Sequence, residues 1–415
     1  MNSMRTSILK PFIVFLFILF ATFPTLSKAS ELVIGTTFAP EAIKPLIDEW
    51  NKRPNTIPIT TLNRTSASIN QLLSTEKAKQ VDLVLSSSPM LFYNLQEKNK
   101  LAPIPKYINN QTTFLPDILK TSTVAFAFSG YGMLLNKTVL QDIHTPLPES
   151  WKDLTNPALQ GLIIISSPSR SDTNHIMLEA LLQKYGWNEG WSIIERMMIN
   201  VGTISSRSFG VVDKIQAHLG AIGITIDNYA HIVTQKNNPE LIFQYFPQFP
   251  TSPTFIAVVA ESSKKEQAFK FISFLLDTNT QLILAEKQLS KYPIISLPIT
   301  HPKAALQQQL FKQPQLNYDL LIKRQQLVKL LFEQHIVHRL SLLQEYWHLL
   351  QQKEASLNRT LPELRNILTS LPVSAEQSEN AQYLSEFDRS QELLNWQHFF
   401  IAQQLSFIKA LENLE

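Results

Sequence analysis

Between residues 31 and 300 the apolar positions fall in short runs, each followed by a hydroxyl-rich turn and then by apolar residues at helix spacing. Residues 32–34 read as a strand, Gly35, Thr36 and Thr37 turn it, and Ala42, Ile43, Leu46, Ile47 and Trp50 predict a helix over 40–50. A second strand over 81–85 ends in Ser86, Ser87 and Ser88, with Pro89 where a first helical turn tolerates proline. A third, over 162–165, runs through Ser166, Ser167, Pro168, Ser169, Arg170, Ser171, Asp172, Thr173 and Asn174 into a helix expected from about His175 to Gly186. A fourth, over 201–204, passes Ser205, Ser206, Arg207 and Ser208 into a helix that stops at Gly220. Alternation of this kind implies α/β layers.

The pattern then changes. No glycine follows Gly223, and residues 301–415 hold only four prolines. Leu327, Leu330, Leu331, Gln334, His338, Leu342, Leu343, Trp347 and Leu350 trace one stripe, which predicts a continuous helix over 318–352. Thr360 with Glu363, and Ser374 with Gln377, have capping-box spacing and predict helices starting near 361 and 375. Leu393, Leu394, Trp396, Phe399, Phe400, Leu405, Phe407, Ile408 and Leu411 give the last helix an apolar face. This glycine-free stretch is expected to be an all-helical extension that the α/β part does not need for holding a ligand.

Composition narrows the class. A hydrophobic content of 44% with 17% charged residues suits packed cores and argues against disorder. With 37 basic against 34 acidic residues there is no electrostatic case for nucleic acid. Residues 1–29 carry Arg5 and Lys10, an apolar run over 12–23, and an exit with Ser27 and Ala29, the three-region pattern of a secretory signal peptide cleaved after Ala29. That run is shorter than the roughly 20 residues a membrane span needs. Cysteine is absent, so neither a disulfide framework nor a lipid-attachment site is expected. The expectation is a soluble periplasmic protein.

Each strand-to-helix junction sets hydroxyls and unpaired N–H groups at a helix N-terminus, where anions are favoured. Arg170 and Arg207 add donors suited to phosphate or carboxylate. Plain helix capping by Ser and Thr is the competing account of every one of these junctions, and it gives way only if the fold brings them to one cleft. No G-x-S-x-G elbow or H-E-x-x-H helix marks an enzyme. His335 and His338, one helical turn apart, are read as a solvated helix face rather than a metal site, and His175 and His231 as structural; no metal or cofactor is expected.

Pro148, Glu149, Ser150, Trp151, Lys152, Asp153 and Leu154, followed by Asn156, Pro157, Leu159, Gln160 and Gly161, resemble a passage of the extracellular solute-binding proteins of ABC-type uptake systems. The branch in question holds ferric, polyamine and sugar-phosphate binders. Gly130, Tyr131 and Gly132 with Asn136 and Lys137, then Gly186, Trp187, Gly190, Trp191 and Asn200, then Gly220, Ala221, Ile222, Gly223 and Ile224, extend the resemblance, as does 267–274 continuing to Tyr292 and Pro293.

The resemblance implies a two-lobed periplasmic binding protein type 2 fold: lobe 1 from 31–130 and 256–300, lobe 2 from 131–255, and the extension over 301–415. Its ligand loops fall on Thr36, Thr37, Ser87, Ser88, Ser169, Arg170, Ser171, Thr173, Asn174, Ser206 and Arg207, with Asp227 placed to take a ligand hydroxyl. Ferric binders use neighbouring tyrosines near that last loop, where Tyr229 stands alone, and a polyamine would need several carboxylates. These loops therefore favour an anion, and the resemblance implies a small phosphate ester of the phosphoglycerate type. Taken with the extension and the missing lipid anchor, the resemblance also implies a ligand sensor that signals to a membrane sensor kinase; delivery to an ABC permease is the alternative.

Overall fold

The computed structural model describes residues 31–109, 113–234, 238–286 and 291–414, so the expected signal peptide lies outside the described residues. Among the described residues the strands are β1 (Leu32–Thr36), β2 (Ile59–Asn63), β3 (Leu83–Ser86), β4 (Val124–Asn136), β5 (Ile163–Ser166), β6 (Val201–Ser205), β7 (Ile222–Ile226), β8 (Leu241–Tyr245), β9 (Thr251–Val258) and β10 (Tyr292–Pro293). They run in the order β2-β1-β3-β9-β4-β7-β5-β6, with β8 and β10 joined through β4. β1 is parallel to β2 and β3, and β5 is parallel to β6 and β7. β9 runs antiparallel to β3 and β4.

β4 is the seam between the two lobes. Its first half pairs with β9 and β10, whereas Tyr131 onward pairs with β7 on one edge and from Gly132 with β8 on the other. All 13 residues are buried, as a strand covered on both faces requires. Gly132 marks the tightest point: a Cβ there would lie 2.2 Å from the Gln244 carbonyl oxygen of β8, so the strands approach as they do only because the position is glycine.

Parallel strands force crossovers, and the helices supply them. Pro89–Glu97 follows β3, Asp172–Tyr185 follows β5 and Ser208–Gln216 follows β6. The helix after β5 starts three residues earlier than periodicity placed it, because Ser171 accepts from the Asn174 amide and caps it. Gly186, at φ +80°, ends that helix and opens Trp187–Met198.

The extension departs from expectation at its centre. Instead of one helix over 318–352, Tyr318–Leu331 passes into a π-helical turn, Phe332–Ile336, then a 3-10 turn, Val337–Arg339, and then Leu340–Leu357. The wider turn lets one stretch serve two neighbours: Glu333 accepts from the Ser167 hydroxyl at 2.5 Å, and His335 meets Glu195 at 2.5 Å. His335 is fully buried, so it is no solvated face.

Ser374 and Gln377 form the expected capping box. Thr360 does not cap: Leu361 takes the N-cap position of Pro362–Leu368, and its amide is met by Glu354 at 2.8 Å. In the last helix, Arg389–Glu412, Trp396, Phe400 and Phe407 are buried while Leu394, Leu405 and Ile408 remain exposed, since the apolar stripe is broader than the surface that covers it.

The extension is part of the core. Leu321, Leu327, Val328, Leu331 and Ile336 belong to the same buried cluster as Ile176, Leu181 and Ile194 of lobe 2. Each such side chain contributes about 1.5–3 kcal/mol on burial, so the extension is held by far more than its polar contacts. Among the described residues no helix is long and apolar enough to cross a membrane.

Candidate functional site

A cleft of about 600 Å³ lies where the two lobes and the extension meet. Thr37, Ser86, Ser87 and Ser88 line it from the ends of β1 and β3, Ser169, Arg170, Ser171, Asp172 and Thr173 from the loop after β5, and Ser206, Arg207 and Ser208 from the loop after β6. The shared cause is topological. In parallel strands the loops at one end all fall together, which is where ligands bind open α/β sheets.

Four helix starts therefore converge. Thr65 caps Ser66–Leu73, Ser88 caps Pro89–Glu97 and Ser171 caps Asp172–Tyr185, each by accepting a backbone amide. Ser208–Gln216 opens on Arg207 in extended conformation with no side-chain cap, which leaves its first amides without that partner. Thr37 and Ser86 share a hydroxyl contact at 2.8 Å, and Ser171 and Ser208 another at 2.8 Å. Ser87 is different: it is 8% exposed, it lines the cleft, and its hydroxyl has no hydrogen-bond partner among the described residues. A buried, unpaired hydroxyl costs free energy that a ligand oxygen would recover.

Three cations reach the cleft: Arg170, Arg207 and Lys329, the last from the helix Tyr318–Leu331. One carboxylate, Asp172, sits among them. Its Oδ1 lies 3.2 Å from Lys329 Nζ, and its Oδ2 accepts from the hydroxyl of Ser66, so one side chain ties lobe 2 to lobe 1 and to the extension. Burial opposes ionisation of Asp172, but Lys329 and the hydroxyls of Ser66 and Ser88 outweigh it and hold the carboxyl below the usual range. Beneath it His175 is fully buried, and burial, aided by Lys329, keeps it neutral with a pKa well below that of free histidine. The Tyr229 phenol lines the cleft too, its pKa pushed up to about 12 by burial.

Nine of the twelve expected ligand residues line this cleft: Thr37, Ser87, Ser88, Ser169, Arg170, Ser171, Thr173, Ser206 and Arg207. Three do not. The Thr36 hydroxyl accepts from the Phe38 amide and is buried. Asn174 sits beneath the cleft floor, donating to Ser171 and Ser208. Asp227 lies at the lobe seam, fully buried, accepting from the Gly130 amide at 2.7 Å and the Tyr245 hydroxyl at 3.1 Å.

The sequence also concealed contributors. Thr65 and Ser66 repeat the strand, hydroxyl, helix signal of the other junctions and could have been found by it. Gln325 and Lys329 could not. They carry no local signal, and the extension was expected to stand apart from ligand; instead it forms a wall of the cleft.

A two-lobed α/β frame with a polar, cation-lined cleft between its lobes is the architecture of a solute-binding protein. The chain belongs to the bacterial extracellular solute-binding protein family, whose model matches residues 78–318. Membership in an extracellular family implies a periplasmic location. Phosphoglycerate transport regulatory protein PgtC of Salmonella typhimurium is 45% identical over 389 residues, covering 93% of this chain and 98% of that protein, and the protein of the same name from Salmonella typhi matches equally. Residues outside 301–415 number only 300, so that match must run well into the extension.

Solved structures match a smaller share of the chain. The periplasmic binding protein AfuA of Actinobacillus pleuropneumoniae, bound to fructose-6-phosphate, superposes with a TM-score of 0.64 at 15% identity over 73% of this chain and 98% of that one. A ferric binding protein from Campylobacter jejuni gives 0.58 at 16% identity over 72% and 97%. Since one frame carries both a sugar phosphate and iron, likeness of fold does not choose the ligand.

Proposed function

We propose that the chain is a periplasmic sensor of a small phosphorylated anion of the phosphoglycerate type, and that it reports the bound state to a membrane sensor kinase. The convergence of Arg170, Arg207 and Lys329 with four helix N-termini on one cleft carries the ligand half of this reading. Three cations suit an ester bearing both a phosphate and a carboxylate. Micromolar affinity needs about 8 kcal/mol, which charge-assisted hydrogen bonds of about 1.5–3 kcal/mol each from three cations reach together with the amides of the helix N-termini. In this reading residues 1–29 are removed on export, and 31–130 with 256–300 close on 131–255 over the ligand. The signalling half is supported by the word "regulatory" in the name of the 45% identical relatives and by their sharing much of the extension.

Calorimetry on the mature chain with 2- and 3-phosphoglycerate, phosphoenolpyruvate, hexose phosphates, ferric ion and spermidine tests the ligand. Binding confined to iron or the polyamine would overturn it. For signalling, a host lacking this gene should fail to switch on its phosphoglycerate transporter when given the ester. Normal induction with impaired uptake would instead favour a transport receptor.

A further inference from the structure

We propose that Lys329 of the helical extension is itself a ligand-binding residue, and that the bound anion takes it over from Asp172. The inference rests on the cleft being an anion site and adds a group that the lobes alone do not possess. Lys329 lies in the helix Tyr318–Leu331, lines the cleft beside Gln325 one turn earlier, and keeps its side chain a quarter exposed. Among the described residues its ion-pair partner is Asp172, whose carboxylate stands at the N-terminal turn of Asp172–Tyr185.

That carboxylate occupies the kind of place a ligand anion would prefer. It has an ammonium at 3.2 Å, a hydroxyl from the facing lobe and a helix N-terminus behind it. Asp172 thus acts as an internal stand-in. A phosphate or carboxylate entering between Arg170, Arg207 and Lys329 competes with it for the ammonium, and Asp172 keeps the Ser66 hydroxyl or accepts from a ligand hydroxyl. Because the same extension continues through Glu333 to Ser167 in the cleft loop, and through His335 to Glu195, a shift of Lys329 is mechanically continuous with the body of the extension. Ligand is then read jointly by both lobes and by the segment through which a partner could be informed.

The rival account is that Lys329 only braces Asp172. Calorimetry with 3-phosphoglycerate on the full mature chain separates the two. Lys329→Gln should weaken binding about tenfold or more, the worth of one charged hydrogen bond, and Lys329→Arg should recover most of it. Asp172→Asn should bind at least as tightly as the wild type, because the ammonium no longer has to leave a carboxylate. If Asp172→Asn loses as much as Lys329→Gln, Lys329 is a brace and the proposal is wrong. If Arg207→Ala weakens binding while Lys329→Gln does not, the cleft reading stands and this inference falls. A wild-type chain that binds none of the esters overturns both. A measurement without mutation guards against misfolding: in the wild-type chain, saturating 3-phosphoglycerate should protect the Lys329 amine from reductive methylation, and unchanged labelling counts against the contact.

Discussion

Arg324 and Glu179 form a bidentate ion pair out of contact with water: Nε and Nη2 donate to Oε1 at 3.1 and 2.8 Å, Nε also reaches Oε2 at 3.0 Å, and the side chains are 2% and 0% exposed. Arg324 stands just over one helical turn before Lys329 and Glu179 two turns after Asp172, so the pair fixes the register of the extension against the helix that bears the cleft carboxylate. The guanidinium also lies over the Trp187 ring, 5.3 Å from its centroid.

Breaking this pair on one side leaves a buried charge without a counterion, whereas removing both charges need not. Arg324→Ala should therefore cost about 3–5 kcal/mol, and the double replacement Arg324→Met with Glu179→Leu should cost much less than either single change. Urea midpoints of the three variants measure this. A single variant within about 1 kcal/mol of the wild type would mean that water enters the site and the pair is not what holds the extension.

Much of the cleft was legible because its signals are local. A hydroxyl residue just before a helix announces both a cap and an anion-facing terminus, so Ser88 and Ser171 could be placed from neighbours within four residues. The same ambiguity produced the misses. Thr36 and Asn174 have the right chemistry, yet their bonds go to Phe38 and to Ser171 with Ser208, and residue type alone cannot say which way a side chain turns. Lys329 meets Asp172 across 157 residues, a pairing that only the packed fold creates. The break at Phe332–Ile336 was hidden for another reason: the apolar stripe runs straight through it, and a π turn changes the register without changing the composition.

Ser171 and Arg207 both line the cleft but should fail in different ways. The Ser171 hydroxyl is already engaged with Ser208 and caps its helix, so Ser171→Ala should cost about 0.5–2 kcal/mol in stability with little change in affinity. Arg207 caps nothing, and its guanidinium rests 5.4 Å from the Phe209 ring centroid. Arg207→Ala should leave the melting temperature near that of the wild type and weaken an anionic ligand by about 1.5–3 kcal/mol. Thermal melts paired with calorimetry would show this crossover, and equal behaviour of the two variants would refute it.

His335 should anchor the C-terminal helix. Its ring meets Glu195 and stacks on Phe400 at 4.9 Å and 3°, and Arg339, 3.1 Å from the His335 ring, lies over Phe400 at 4.2 Å while donating to Gln403. Burial raises the Glu195 carboxyl and His335 opposes that rise, so His335→Ala strands a buried acid. Hydrogen exchange should then quicken across Arg389–Glu412 before it quickens in β4, with a loss of about 3–5 kcal/mol overall. Uniform acceleration through both lobes would mean that the extension unfolds only with the whole chain.

Asp227 should make the lobe seam sensitive to pH. Burial pushes its carboxyl up to about 6 from 3.8, against the Gly130 amide, Lys291, and the Tyr245 and Ser129 hydroxyls, which favour the charged form. Lys291, also buried, is lowered to about 8, while Asp227 acts in the opposite direction on it. Tyr292 and Lys303 face the same cluster. Between pH 4 and 6 the folded chain keeps a proton on Asp227 that the unfolded chain has released, so the unfolded state binds fewer protons and stability falls as pH rises. The contribution is fully present below about pH 4 and gone above about pH 6, and a rise of that size corresponds to about 3 kcal/mol. Asp172 works the other way and at lower pH, since the stability from its lowered carboxyl is already complete above the usual carboxylate range. Glu195, also raised by burial, adds a slope of the same sign as Asp227, and the difference from Asp227→Asn isolates the one at the seam. Urea unfolding at pH 4, 5, 6 and 7 should show the wild type losing ground to Asp227→Asn steadily up to pH 6 and no further above it. Parallel curves for the two proteins would mean that the carboxylate is charged throughout and that the seam carries no proton.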